Sequence, residues 1–176
     1  MDLNKALLSS DSNEWYTPLE LIQGVRHVLG EIDLDPASNW FANKIVRANR
    51  YYDKTQDALK LSWVASTVFL NPPYGKIGSE SRAGVFTEYA LNQWSAGNFE
   101  SGMILLKAAI GYNWFSDVVR EVDHVVFLDE IPKFYNPSAR KKGKAKLGAA
   151  LFLLSDNREV INRFYNYYNG KGFFKK

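Results

Sequence analysis

Short apolar runs alternate along this chain with segments whose apolar residues recur at helical spacing. The run Thr67 to Leu70 is the clearest strand, because it is continuous, bulky and ends at a pair of prolines. Further strands are predicted at 32–35, 103–106, 124–128 and 147–154. A chain that alternates strands with helices in this way folds into a largely parallel sheet with helices on both faces. The sequence therefore predicts an α/β sandwich.

The first helix has the clearest start and stop signals. Thr17 is predicted to cap it, Pro18 to occupy its first position and Glu20 to complete a capping box. Gly30 is predicted to end it. Other helices are predicted within 39–63, from 85 to 97, from about 113, and from a capping box at Asp156 and Glu159. A Gly/Ser-rich loop is expected at 75–84.

Composition limits the class of protein. The 176 residues fit a single domain with one core, preceded by a loose leader at 1–13 and carrying a basic loop at 133–147. The chain has no cysteine and only two histidines, so disulfides and thiolate metal sites are excluded and no metal is expected. No apolar run is long enough to span a bilayer, and no signal peptide is visible at the start. We expect a cytoplasmic protein without a membrane partner.

Two strand-breaking dipeptides, Asp35-Pro36 and Asn71-Pro72, each follow directly after a predicted strand. In parallel sheets, ligands bind outside the carboxyl ends of the strands. Both dipeptides are therefore predicted to lie on the same, ligand-binding edge of the sheet.

The loop from Asn71 to Tyr74 suits the methylation of an aromatic amino group such as that of adenine. The lone pair of such a nitrogen is delocalised into the ring, and two hydrogen-bond acceptors converging on the amine favour a more reactive, tetrahedral nitrogen. The side-chain oxygen of Asn71 and the carbonyl of Pro72 are the candidate acceptors. Pro72 and Pro73 shape the loop, since proline fixes φ and lacks an N–H, and Tyr74 offers a flat face for stacking. An Asn-Pro turn that merely ends the strand is the alternative.

The chain also resembles a known family. The loop from Asn71 to Tyr74 looks like motif IV of the amino-group methyltransferases, and residues 13–155 resemble the phage-type DNA N6-adenine methyltransferase (Dam-like) family. Residues 15–18 look like its segment near the methionine end of S-adenosylmethionine, and 33–38 look like its first cofactor motif. That motif usually carries glycines, whereas Ala37 and Ser38 stand here.

The resemblance implies a Rossmann-like, S-adenosylmethionine-dependent methyltransferase sandwich that methylates the N6 amino group of adenine in DNA, encoded by a phage or prophage in a bacterial host. The implied cofactor-binding residues are Trp15, Tyr16, Thr17, Pro18, Asp35, Pro36, Ala37 and Asp57. Thr17 lies where helix N–H groups can hold a carboxylate. Asp35 suits an ammonium or a ribose hydroxyl. Asp57 resembles the acid that meets the cofactor's adenine, although it could also cap the segment that starts at Ala58.

A DNA substrate requires groups that hold the strand and the extruded base, because the target amine lies inside the base stack. The expected substrate-binding residues are Phe134, Arg140, Lys141, Lys142 and Lys144. Phe134 either packs on the base or belongs to the core, and the basic run either contacts phosphates or forms a solvated loop. The chain has little room for a separate recognition domain, so we expect a short or relaxed sequence specificity.

Two other classes of function are compatible with the sequence. One is an amino-group methyltransferase that acts on RNA or on protein glutamine. The other is a non-catalytic nucleic-acid-binding module that retains the fold. A nucleotide-dependent dehydrogenase is excluded, because the glycine fingerprint is absent. The sequence does not indicate the oligomeric state.

Overall fold

The computed structural model describes residues 16–134 and 148–175. The strands are β1 (Leu34–Asp35), β2 (Arg50–Tyr51), β3 (Ala65–Leu70), β4 (Lys76–Ile77), β5 (Glu80–Ser81), β6 (Phe99–Lys107), β7 (His124–Leu128), β8 (Ala149–Ser155) and β9 (Gly172–Phe174). The helices are α1 (Leu19–Leu29), α2 (Trp40–Val46), α3 (Arg82–Ser95), α4 (Asn113–Glu121) and α5 (Arg158–Tyr168), with a 3₁₀ helix at Ala58–Lys60. No helix within the described ranges is long and apolar enough to cross a membrane.

A seven-stranded sheet, in the order β2-β1-β3-β6-β8-β7-β9, forms the centre of the fold. Strands β2, β1, β3 and β6 pair in parallel. Strand β8 is antiparallel to both β6 and β7, and β9 is antiparallel to β7. Five strands therefore point in one direction, and β8 and β9 are reversed. The predicted mixed α/β architecture with a mostly parallel sheet is confirmed.

Helices cover both faces of this sheet, and β3 shows how. Phe69 packs into a core with helices α1 and α5, whereas Val68 and Leu70 point to the opposite core with α3 and α4. All three side chains are buried. A strand covered on both faces has no need of polar alternation, which explains why this stretch reads as a continuous apolar run.

Helices α1 and α5 approach closely at Gly24. A Cβ atom at this position would lie 2.7 Å from Cε1 of Tyr167 and 2.7 Å from the hydroxyl of Tyr168. Both distances are well inside van der Waals contact, so the absence of a side chain at Gly24 allows the helices to pack at this distance.

The predicted capping of α1 is wrong. Pro18 is the N-cap residue, in an extended conformation with φ −64° and ψ 148°, and no side chain of the described residues caps the helix. The Thr17 hydroxyl is instead engaged by the side chain of Asn71. Gly30 ends the helix with φ 86°, as predicted.

Three other local differences follow from signals that were misread or too short. The cap of α5 is Asn157 rather than Asp156, because Asn157 Oδ1 accepts from the N–H groups at the start of the helix. The loop expected at 75–84 contains the antiparallel hairpin β4–β5. Strand β9 was not predicted, because three residues do not make a periodic pattern.

Candidate active site

The candidate site lies at the carboxyl edge of β1, β3 and β6. Strands β1 and β3 are parallel neighbours, so Asp35 at the end of β1 and Asn71 after β3 lie on the same edge, as predicted. Strand β6 is the parallel neighbour of β3 on its other side and runs on past it to Lys107. Asp35, Asn71 and Lys107, which are far apart in the sequence, therefore lie at the same edge of the sheet.

The Asn71 side chain is oriented by a residue 54 positions away. Its Nδ2 donates to Oγ1 of Thr17 at 3.0 Å, and Thr17 is itself buried. The other end of the amide, Oδ1, is buried and has no hydrogen-bond partner among the described residues. An unsatisfied buried acceptor costs about 1–3 kcal/mol, so a ligand that donates to this oxygen would gain by it.

The two prolines give the loop a restricted shape. Pro72 is buried and Pro73 half-buried. Since neither carries an N–H, this part of the loop presents acceptors without competing donors. Gly75 turns the chain with φ 108°, and its carbonyl accepts from the N–H of Arg82 at 3.0 Å, which ties the end of the loop to the start of α3.

Tyr74 is fixed at its hydroxyl but partly open at its ring. The hydroxyl oxygen accepts from the backbone N–H of Lys107 at 3.0 Å, and the Lys107 ammonium lies 3.9 Å from the ring centroid. Burial raises the pKa of Tyr74 to about 12, against the opposing effect of the Lys107 N–H, so the phenol stays protonated. The residue nevertheless keeps 37% of its surface exposed, which leaves part of the ring available to a ligand.

Asp35 is a buried carboxyl, with 3% of its surface exposed. Burial raises its pKa to about 7, although the Ala37 N–H, 3.2 Å from Oδ1, and the neighbouring Ser38 hydroxyl oppose the shift. The Ser38 hydroxyl is buried too and lies beside the carboxylate without a well-aligned hydrogen bond. No salt bridge among the described residues reaches Asp35. A cation or a hydrogen-bond donor supplied by a ligand would favour its ionised form.

Two predicted site residues have other surroundings. Asp57 is exposed, and its carboxylate lies 2.9 Å from the Lys60 ammonium, a hydrogen bond that lowers the pKa of Asp57. Asp57 is the N-cap residue of the 3₁₀ helix, which is the alternative that the sequence offered, although its carboxylate makes no side-chain cap hydrogen bond there. Phe134 is buried in the core beside α1 and α5. Of the two alternatives for Phe134, core packing is the one found in this structure.

The segment predicted to lie near the cofactor's methionine end is described from Tyr16 onwards. Tyr16 and Thr17 are buried, and Pro18 begins the turn into α1. Pro36 and Ala37 directly follow Asp35 at the end of β1. Five predicted site residues lie outside the described residues: Trp15, Arg140, Lys141, Lys142 and Lys144.

Sequence reasoning missed Lys107. Lys107 directly follows the apolar run 103–106. A polar side chain directly after a predicted buried strand is the same signal that singled out Asp35 and Asn71. The contact between Asn71 and Thr17 left no local signal. Residues 16–134 and 148–175 hold no group of three or more acidic or histidine side chains that could bind a metal ion.

The fold and the site together define a class of protein. It is an α/β protein that presents a buried, unpaired amide oxygen, two fixed prolines and an open aromatic ring at the ligand edge of its sheet, a site suited to a flat ligand that carries an amino group. The chain matches the family model described as DNA N-6-adenine-methyltransferase (Dam) over residues 4–171, nearly its full length, and it belongs to that family. The resemblance found in the sequence is confirmed, and membership implies a DNA adenine methyltransferase. No curated protein matches the chain.

Proposed function

We propose that this protein transfers the methyl group of S-adenosylmethionine to the N6 amino group of adenine in DNA, with a short or relaxed sequence specificity. The observation that carries the proposal is the state of the Asn71 amide. Its nitrogen is engaged by Thr17, and its buried oxygen lacks a donor among the described residues. An amino group is such a donor, and family membership supplies the substrate class.

The loop would act directly on the amine. One N–H of the adenine amine would donate to Asn71 Oδ1 and the other to the Pro72 carbonyl, which draws the nitrogen lone pair out of conjugation and frees it for attack. These hydrogen bonds strengthen as positive charge develops on the nitrogen, so they favour the transition state over the ground state. When bound, S-adenosylmethionine supplies an electrophilic methyl group on a sulfonium. Asn71 and the Pro72 carbonyl would hold the nitrogen while it accepts the methyl group, becomes cationic and loses a proton to solvent, a loss that needs no strong base.

The described residues fit this cofactor. Asp35 is a buried carboxyl without a cationic partner in the described part of the chain, and the cofactor carries an ammonium and ribose hydroxyls, either of which would stabilise the ionised form. Asp57 presents an exposed carboxylate that could accept from the cofactor's adenine amine in place of Lys60. The segment 15–18 would lie along the methionine end, beside the first turn of α1.

The DNA side of the site is supported by the open ring and by charge. The exposed part of the Tyr74 ring suits stacking of an extruded base. Arg140, Lys141, Lys142 and Lys144 would contact phosphates. The described connections that follow β3 and β6 are short, spanning 71–81 and 108–112. Neither can hold a separate helix that reads the major groove, which supports a short or relaxed target.

The experiment that tests the proposal offers labelled S-adenosylmethionine with DNA, RNA and whole-cell protein in parallel. We expect label in DNA alone, at N6 of adenine, and sequencing of the modified DNA should show a short or degenerate context. Label in RNA or in protein glutamine, with none in DNA, would contradict the proposed substrate. A strict site of six or more base pairs would contradict the proposed specificity.

A further inference from the structure

The last residue of β6 contacts Tyr74 in two independent ways. The backbone N–H of Lys107 donates to the Tyr74 hydroxyl at 3.0 Å. The ammonium at the other end of Lys107 lies 3.9 Å from the centroid of the same ring. One residue therefore holds both the polar end and one face of the ring that the proposed function assigns to base stacking.

Strand β6 extends further than its neighbour β3, and this difference explains the hydrogen bond between the Lys107 N–H and the Tyr74 hydroxyl. Strand β3 ends at Leu70, whereas its neighbour β6 continues to Lys107. The next N–H along, that of Ala108, donates to the Gly148 carbonyl on the β8 side at 2.8 Å. Since successive N–H groups of a strand point to opposite sides, the Lys107 N–H points to the side on which β3 has ended. The Tyr74 hydroxyl takes the place of the missing strand carbonyl.

The second contact makes the two faces of the ring unequal. An ammonium over an aromatic face is attracted by the negative charge of the π-system, most strongly where water is partly excluded. Burial lowers the pKa of Lys107, consistent with a partly desolvated ammonium. The ammonium occupies the space over one face of the ring, while Tyr74 as a whole keeps 37% of its surface exposed.

We propose that Lys107 is a positioning residue that confines the target adenine to the face of Tyr74 opposite the ammonium. The inference rests on the proposed function, because it assumes an extruded adenine. Bases stacked on the two faces of one ring would lie about 7 Å apart, since each lies about 3.5 Å from it. An adenine whose amine donates to Asn71 Oδ1 from one of these planes would lose that hydrogen bond in the other, because the two bonded atoms must lie about 3 Å apart. Misplacement by even 1 Å is costly for catalysis.

The inference is tested with Lys107→Met, which keeps the backbone N–H and much of the side-chain length but removes the charge. The substrate is an oligonucleotide that carries 2-aminopurine at a mapped target adenine, because its emission rises when the base leaves the stack and falls when it stacks on an aromatic ring. We expect brighter emission from the complex with Lys107→Met than from that with the wild type. In methyl-transfer assays on unmodified DNA, kcat should fall about threefold to tenfold, because part of the bound adenine is then held where its amine cannot react. Lys107→Arg, which keeps the charge, should resemble the wild type in both measurements.

Lys171→Met is a matched control. The Lys171 ammonium lies 3.4 Å from the centroid of the Tyr167 ring, the same kind of pair, but after α5 and away from the loop at Asn71. This variant should leave both the emission and kcat unchanged. Wild-type emission and kcat in Lys107→Met would overturn the inference. If Lys107→Met does not fold, Lys107→Gln is judged by the same criterion.

The two measurements also separate this inference from the function on which it rests. Quenching of 2-aminopurine requires no methyl transfer. A wild-type protein that transfers no methyl group, yet shows quenching that depends on Lys107, would refute the proposed function and support the positioning role. An active wild type whose quenching and kcat do not depend on Lys107 would refute the positioning role alone.

Discussion

The burial of Asp35 leads to a quantitative prediction for Asp35→Asn. Burial raises the pKa of this carboxyl from 3.8 to about 7, and asparagine preserves its shape while removing its charge. A difference of one unit between the pKa values of a group in the folded and unfolded states corresponds to about 1.4 kcal/mol in the free energy of unfolding. The buried charge therefore lowers the free energy of unfolding of the wild type by roughly 4 kcal/mol at pH values above 7.

The sign follows from the protons that each state binds. Between pH 3.8 and about 7 the folded carboxyl keeps its proton while the unfolded one has lost it, so the folded state binds more protons. The free energy of unfolding of the wild type therefore falls as pH rises through this range. Above about pH 7 the carboxyl is ionised in both the folded and the unfolded state, so the free energy of unfolding falls no further. Asparagine has no proton to lose, so Asp35→Asn should gain on the wild type as pH rises.

Urea unfolding at pH 5 and pH 8 measures this effect. The advantage of Asp35→Asn over the wild type should grow by roughly 3 kcal/mol between the two values. Asp117→Asn is the matched control, because Asp117 is an exposed carboxylate on α4 that pairs with Arg120. An exposed ion pair contributes little to stability, so the difference between this variant and the wild type should be small at both pH values. A difference for Asp35→Asn that is equally flat would refute the assignment of Asp35 as a buried acid with a raised pKa.

The same titration should govern cofactor binding if Asp35 holds the cofactor's ammonium. Calorimetry should show the affinity of the wild type for S-adenosylmethionine rising as pH passes through about 7, because only the ionised carboxylate attracts a cation. Asp35→Asn should bind more weakly, without this pH dependence. An unchanged affinity in the variant would contradict the proposed role while leaving the stability prediction intact.

Three further substitutions test the loop and the core. Asn71→Ala should lower the rate of methyl transfer by at least ~100-fold, because it deletes an acceptor that matters in the transition state. The cofactor affinity measured by calorimetry should be nearly unchanged. Wild-type rates of methyl transfer would contradict the mechanism. Thr17→Val removes the acceptor that orients Asn71, so kcat should fall about tenfold. Thr17→Ser keeps the hydroxyl and should restore kcat. Equal kcat in the wild type, Thr17→Val and Thr17→Ser would show that the contact is dispensable. Gly24→Ala should lower the free energy of unfolding, measured in urea, by about 1–2 kcal/mol, because the clash with Tyr167 and Tyr168 outweighs the gain in helix propensity. An unchanged midpoint of urea unfolding would contradict that packing.

The parts of the fold that the sequence could predict are those whose signals are local. The run Thr67 to Leu70 identifies a buried strand because apolar side chains covered on both faces need no polar alternation. Gly30 marks a helix end because its left-handed φ of 86° suits a residue without a Cβ atom. Parallel pairing then places Asp35 and Asn71 on one edge, so the position of the site followed from the pattern of strands alone.

What the sequence could not supply depends on contacts between distant residues. Asp57 and Phe134 show this in opposite ways. Asp57 occupies the N-cap position before Ala58, as its local signal indicates, but its carboxylate pairs with Lys60. Phe134 belongs to the core through packing that no short window of sequence reveals. The role of Lys107 depends on the difference in length between two neighbouring strands, which is a property of the sheet rather than of either segment.

Thr17 shows why a local rule fails at this site in particular. Its hydroxyl could cap α1, a contribution of about 1 kcal/mol, but it accepts from Asn71 instead. The alternative use leaves the first turn of α1 without a side-chain cap among the described residues, so the helix gives up part of its own stability. In exchange, the amide of Asn71 is held with its oxygen free, and the uncapped N–H groups of the first turn remain available to a carboxylate such as that of the cofactor's methionine end. A departure from local preference at a functional position is expected when one side chain cannot serve both the helix and the ligand. The failed capping prediction is therefore itself a reason to propose Thr17 as a residue of the active site.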